Sequence, residues 1–357
     1  MFHLRDKELT HSIVQDIKTM DMPLRIMHVC GTHQDTIVRF GLDVLLREAN
    51  VTIIQGPGCP VCVTTPYEIE QSIALARAGI TVATYGDMLR VPGATDSLAS
   101  VKTQGADVRV VYDIHDAVSL ANTGREVVFV AAGFETTAPA TAAVLSHELP
   151  KTFSVLSCHR VIPPAITAIL SMGEILIDGI IDPGHVSVII GVEPYRPISR
   201  AFNIPQVIAG FEPIDLLMAI RMLACQVQEG RCEVENEYCR VVNDGGNAKA
   251  QIVLNKVFEL SDAPWRGFPI IHQSKLSLKS GFDDHDAYSR YEDILSPLQD
   301  QDFDEPSGCR CGDVLRGVIS SEECVLFNNP CTPTHPVGPC MVSREGSCNI
   351  SFRYRHD

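Results

Sequence analysis

Positive charge is what this sequence is short of. Its 29 Lys and Arg residues face 44 Asp and Glu, a formal charge of −15 with a pI near 5.2, which excludes a nucleic-acid binder that works by neutralising phosphates. Long apolar runs are missing too. None approaches the roughly 18 residues of a membrane span, and Arg5, Asp6, Lys7 and Glu8 interrupt the apolar core that a signal peptide needs. Internal repeats and low-complexity tracts are absent. A soluble cytoplasmic protein with no nucleic-acid or membrane partner is therefore expected. What is there is a chain of 357 residues, 45% hydrophobic, with a mean hydropathy of +0.08. It is neither disordered nor fibrous, and its length suggests two or three domains.

Cysteine is abundant, with 13 residues, six of them (Cys309, Cys311, Cys324, Cys331, Cys340 and Cys348) in the last 49 positions. A cytoplasmic chain of this size builds a core without a disulfide framework, so metal binding or thiol redox chemistry is the better reading.

Val- and Ile-rich runs at 25–29, 51–55, 80–84, 108–112, 127–131, 153–157, 186–190 and 206–209 read as strands buried on both faces. Between them, 34–48, 66–78, 114–122, 137–147, 163–172 and 213–227 carry apolar residues at helical spacing, several opening on a proline. This alternation predicts an α/β fold, with two Rossmann-like parallel-sheet domains at 1–123 and 124–230 and a cysteine-rich C-terminal iron–sulfur module at 231–357. A helix is expected over 249–260. The stretch 282–306, nine acidic residues against Arg290 alone, reads as a solvated face or a loose linker.

In parallel sheets, chemistry gathers on loops at the carboxyl ends of strands. Four such loops carry reactive groups: CGTH at 30–33, GPGCPVC at 56–62, YGDMLRVPG at 85–93 and GFETT at 133–137. Cys59 and Cys62 have the spacing of a disulfide or of two ligands to one metal, and a helix starting at Pro66 would favour thiolate; the bland alternative is two small buried residues in a tight loop. Cys30 and His33 could ligate one borderline metal, or His33 could be a satisfied loop histidine. Cys30 and the Cys59/Cys62 pair leave strands expected to lie side by side, which would gather three thiols and an imidazole in one cleft. Glu135 is either part of a helix cap region or a carboxylate aimed into the cleft as proton acceptor or iron-site orienter. Asp87 and Arg90 likewise either serve the cleft or only pair with each other, and His159 is a weaker candidate for the same mouth.

Cys324, Cys331, Cys340 and Cys348 are spaced by six, eight and seven residues within a Pro- and Gly-rich stretch that needs an inorganic centre or disulfides to hold it. Without the paired knuckles of structural zinc sites, the spacing favours a [4Fe–4S] cluster over all-thiolate zinc. Cys309 and Cys311 would form a second dithiol beside it. Cys158, Cys225, Cys232 and Cys239 read as inert buried thiols.

Taken together and in order, CGTH, GPGCPVC, YGDMLRVPG, GFETTAP at 133–139, CRCG at 309–312 and CTPTHPVGPCMVSREGSC at 331–348 closely resemble the hydrogenase formation protein HypD family, and the matching segments span nearly the whole chain. The resemblance implies a [NiFe]-hydrogenase maturation factor of two α/β domains and a [4Fe–4S] module. With a small chaperone, HypC, such a protein is the scaffold on which iron acquires two cyanides and one carbon monoxide, HypE bringing the cyanide. By this likeness Cys30 would bind the iron of the Fe(CN)2CO moiety together with a HypC cysteine, Cys59 and Cys62 would be the redox pair, and Cys324, Cys331, Cys340 and Cys348 would hold the cluster, with Cys309 and Cys311 as competing thiolates. Such a scaffold is consumed and reloaded rather than turning over alone. The competing expectations are an iron–sulfur-dependent thiol–disulfide reductase and a scaffold with structural zinc.

Overall fold

The computed structural model describes residues 6–355. Its strands are β1 (Leu24–His28), β2 (Val51–Gln55), β3 (Thr81–Thr84), β4 (Val108–Val110), β5 (Val127–Gly133), β6 (Phe153–His159), β7 (Gly179–Pro183), β8 (Gln206–Ala209), β9 (Val234–Asn236), β10 (Phe258–Pro264) and β11 (Ile270–Leu278). They form a five-stranded sheet in the order β2-β1-β7-β8-β9, a four-stranded sheet in the order β4-β3-β5-β6, and the β10-β11 hairpin. Every pairing in the two larger sheets is parallel, and only the hairpin is antiparallel. β5 and β6 are buried at all seven positions, as their near-continuous apolar sequence requires.

The mixed α/β architecture with two parallel sheets is as expected, but the sheets are interleaved along the chain. β1 and β2 share their sheet with β7, β8 and β9, and the chain crosses to the second sheet after β2 and returns after β6. The expected cut at 123/124 falls between β4 and β5 of one sheet. Uniform strand–helix alternation carries no mark of which sheet a strand joins, because a crossover looks the same in both cases.

Local differences have local causes. The apolar run at 186–190 lies in the helix Gly184–Ile190, and the strand is the preceding Gly179–Pro183; a short apolar run does not by itself distinguish a buried strand from a helix. The helix expected over 34–48 breaks at Gly41, which takes φ +63° and separates Gly31–Arg39 from Leu42–Arg47. The one expected over 249–260 stops at Val257, where β10 begins. The acidic stretch is a solvated face rather than a linker over its first half. Ala287, Tyr291 and Leu295 are buried beneath it, and Arg290 and the Tyr291 hydroxyl both reach Glu126.

The C-terminal segment does not stand apart. Cys311, Leu315, Cys340, Met341 and Cys348 share one apolar core with Met27, Val29, Cys59, Cys62 and Val130. Helix Ser347–Tyr354 packs on Gly31–Arg39, and a side chain at Gly317 would strike Ile54 and Met27 of the first sheet.

Candidate functional site

Each parallel sheet reverses its strand order once, between β1 and β7 in the first and between β3 and β5 in the second, and such reversals open a crevice at the carboxyl ends. CGTH follows β1, GPGCPVC follows its neighbour β2, and YGDM and GFETT follow β3 and β5. Burial pushes the Tyr195 phenol well above its usual range, and Asp182 in β7, Glu135 after β5 and Cys30 after β1 add to that push.

Cys30 and the cysteine pair are brought together as expected. The Gly31 N–H donates to the Gly58 carbonyl (3.1 Å) and the Gly56 N–H to that of His28 (2.8 Å). A Cβ on Gly58 would overlap the N, Cα and C atoms of Cys30, so glycine is what allows the two loops to touch. Cys59 and Cys62 are bonded to each other, with Cα atoms 5.3 Å apart, at the start of the short helix Pro60–Val63, and both are fully buried. Cys30 is a buried free thiol pushed up to about 11 by burial, against the opposing backbone N–H groups of His33 and Thr32 at the start of its helix.

His33 turns toward β8. Its Nε2–H donates to the Ala209 carbonyl (3.3 Å), its ring lies over Phe211, and burial lowers its pKa to about 3, so it is neutral with a bare Nδ1 lone pair. Nδ1 has no partner among the described residues. Glu135 is buried; its Oε1 accepts from the Ile162 N–H (2.9 Å), Oε2 has no partner among the described residues, and burial raises it to about 7. Thr137, at the cap position of the following helix, makes no side-chain capping bond. Glu135 is thus a carboxylate sealed in the protein near its neutral point. His159 is also buried and neutral, held by Thr141 (3.0 Å) and lowered to about 4 by burial.

Asp87 and Arg90 do not pair with each other. Asp87 accepts from the Ser343 hydroxyl (3.0 Å) and Arg90 donates to the Pro333 carbonyl (2.6 Å), so the YGDMLR loop latches the C-terminal segment over the cleft. Glu345 from that segment lies against Gly31 and adds to the rise of the Cys30 pKa. Sequence reasoning missed Glu345, Tyr195, Asp182 and the buried His28, whose Nε2 meets Gln34 Oε1 at 2.8 Å. Asp182 and His28, polar residues at the ends of apolar strands, were the available signal.

All six C-terminal cysteines line one small cavity, with Val314, Leu326, Phe327, Gly338 and Met341 as its other walls. Cys311 Sγ lies 2.7 Å from Cys340 Sγ, so Cys311 is part of this group rather than a dithiol to one side. Burial pushes the Cys309 thiol up to about 12 and holds Cys348 well above its usual range, and the Cys311 contact followed by burial does so for Cys340. Among the described residues no three His, Cys, Asp or Glu side chains converge on the position of a single metal ion. A tetranuclear cluster spreads its thiolates around a cube, and an all-thiol apolar lining suits it. Helix Pro60–Val63, bearing the cysteine pair, packs on Cys311–Leu315 and on Pro339–Val342. Cys158 is buried, Cys225 and Cys232 are partly buried, and Cys239 is exposed, so the last three are not the buried thiols expected.

The family model for HypD, described as the hydrogenase formation hypA family, matches residues 6–355. The chain belongs to the HypD family. It is 45% identical to a Methanocaldococcus jannaschii protein named for hydrogenase expression and formation, the match covering 99% of each chain. It is 42% identical to the hydrogenase maturation factor HypD of Cupriavidus necator, over 98% of this chain and 95% of that one, and 44% identical to that of Azotobacter vinelandii, over 92% and 89%. No helix among the described residues is long and apolar enough to cross a membrane.

Proposed function

We propose that this HypD family member is a hydrogenase maturation factor that serves as the scaffold for the Fe(CN)2CO moiety of [NiFe]-hydrogenase. The observation that supports the reading is the contact of Cys30 with Gly58 beside the Cys59–Cys62 pair, which sets a buried free thiol next to a bonded cysteine pair. Iron is the cargo. Cys30 is its ligand from this chain, a HypC-type chaperone supplies the second thiolate, and a HypE-type partner brings cyanide. The reduced cysteine pair gives up two electrons and two protons as it closes to the disulfide. That is the count needed to part cyanide from a thiocyanate carrier, one proton going to the carrier sulfur and one to cyanide. Glu135 holds a proton after β5 and His33 a lone pair after β1, both buried.

Cys324, Cys331, Cys340 and Cys348 are the residues we assign to a [4Fe–4S] cluster, and the six-thiol apolar cavity supports the assignment. When bound, the cluster supplies one-electron chemistry beside the helix that bears the cysteine pair. The test is the infrared spectrum of the complex purified without oxygen. Cys30→Ala is expected to lose the metal-cyanide and carbon monoxide bands while keeping the visible absorption of the cluster. Bands that survive intact would remove Cys30 as the ligand, and a wild-type complex without such bands would favour a thiol–disulfide reductase.

A further inference from the structure

The single tryptophan of the chain lies in the tip of the β10-β11 hairpin, a segment none of the cysteine motifs includes. Trp265, Arg266 and Gly267 follow one another there, and each touches a different functional loop. Trp265, buried, stacks on Phe134 of the GFETT loop with ring centroids 5.8 Å apart and planes 26° apart. Arg266, also buried, donates its backbone N–H to the Val63 carbonyl and its Nε to the Thr64 carbonyl, both at 2.9 Å, where the cysteine-pair helix ends. Its Nη1 pairs with Glu305. Gly267, at φ +78°, lies so close to Gly312 that a Cβ would overlap the Gly312 Cα. Gly312 directly follows Cys311 of the six-cysteine cavity, and Arg316, which caps the C-terminus of the same short helix, donates to the Gly267 carbonyl.

Three consecutive residues thus meet the carboxylate loop, the disulfide loop and the cavity wall. Burying an arginine so that its Nε takes the Thr64 carbonyl while its backbone N–H takes that of Val63 is a costly way to hold a loop unless the loop's position matters. We propose that Trp265-Arg266-Gly267 is a positioning clamp that fixes the Cys59–Cys62 pair relative to the six-cysteine cavity, so that electrons entering at the cavity reach the pair. This rests on the redox reading of the pair. Lys in place of Arg266 keeps the charge and the backbone bond to Val63 but not the planar group that reaches the Thr64 carbonyl and Glu305 together, and Ala in place of Gly267 pushes the hairpin tip off the cavity wall.

The test uses the full chain purified without oxygen, with its iron and sulfide content measured. Reduced methyl viologen, a one-electron donor, is added. Two equivalents with two protons convert the disulfide to two thiols, which are trapped by alkylation and counted by mass. In parallel, the fraction reduced at equilibrium is measured in a dithiothreitol redox buffer. Arg266→Lys and Gly267→Ala are each expected to slow the viologen-driven reduction by about tenfold or more, with visible absorption and equilibrium fraction unchanged. Variants reduced at the wild-type rate overturn the clamp. So does a variant that slows only by losing its iron and sulfide, because the segment then merely holds the cavity together. If the wild type is not reduced by viologen at all, the redox reading itself falls, which separates the two failures.

Discussion

Replacing Glu135 by Gln tests the burial argument at the site most directly. The carboxyl is sealed from water, and its two opposing hydrogen-bond donors, its own N–H and that of Ile162, do not offset the desolvation that lifts it from 4.5 to about 7. Below pH 4.5 the folded and unfolded states both hold the proton, and nothing is gained or lost. Between 4.5 and 7 the unfolded chain releases its proton while the folded one keeps it. The unfolded state then binds fewer protons, so stability falls as pH rises, and above 7 the full penalty persists. At about 1.4 kcal/mol per pH unit the penalty amounts to about 3 kcal/mol. Gln keeps the acceptor for Ile162 and cannot ionise, so the variant should gain on the wild type from pH 5 to pH 7 and hold a lead of about 3 kcal/mol at pH 8. Urea unfolding followed by Trp265 fluorescence across this range gives the lead, and the protonated-carboxyl band in wild-type-minus-variant infrared spectra gives the titration directly. A stability gap that is flat between pH 5 and 8, or a carboxyl already ionised at pH 6, would refute the reasoning.

Glu68→Gln should cost about 3–5 kcal/mol in urea unfolding, because it leaves buried Arg160 and half-buried Lys275 without their counter-charge; Arg160→Met added to it should recover much of the loss, and a double variant no better than the single would sink this account. Serine replacements of the six tail cysteines, one at a time, should abolish bound iron and acid-labile sulfide at Cys324, Cys331, Cys340 and Cys348 and spare them at Cys309 and Cys311. Loss at Cys311 with retention at one of the four would exchange those two assignments, a swap the 2.7 Å approach of Cys311 to Cys340 makes worth measuring.

Eight apolar runs were legible as strands, and seven are strands, because a strand buried on both faces leaves a strong local signal. The exception, 186–190, failed because its neighbour Ile180-Ile181, flanked by Gly179 and Asp182, is too short to outweigh it. The loops bearing Cys30, Cys59, Cys62 and Glu135 were found because each directly follows a strand. Long-range pairing left no such trace. Nothing local to Asp87 or Arg90 points to Ser343 or Pro333, some 250 residues on, and Trp265-Arg266-Gly267 matters only through its neighbours in space. Thiols of the tail could be counted from sequence, but that all six line one cavity is a property of the packing.

Interleaving of the sheets changes what the cysteine loop is. The chain passes from the first sheet to the second only through the stretch between β2 and β3, and returns through the stretch between β6 and β7. The first passage holds Cys59, Cys62 and the helix Pro66–Arg77; the second begins with Arg160. Glu68, third residue of that helix, closes a capping box with Thr65 and accepts from Arg160 at 2.7 Å. Burial alone would raise its pKa, yet the charges of Arg160 and then Lys275 hold it down at about 2. A buried ion pair is weak evidence for net stability, but removing one partner is expensive, which makes it a good register device. Here it ties the two passages to each other, while the Glu135 bond to Ile162 ties GFETT to the second. The disulfide therefore sits in one of the two passages that must absorb any shift of one sheet against the other. An ion pair, a carboxylate and the hairpin tip all hold that place still.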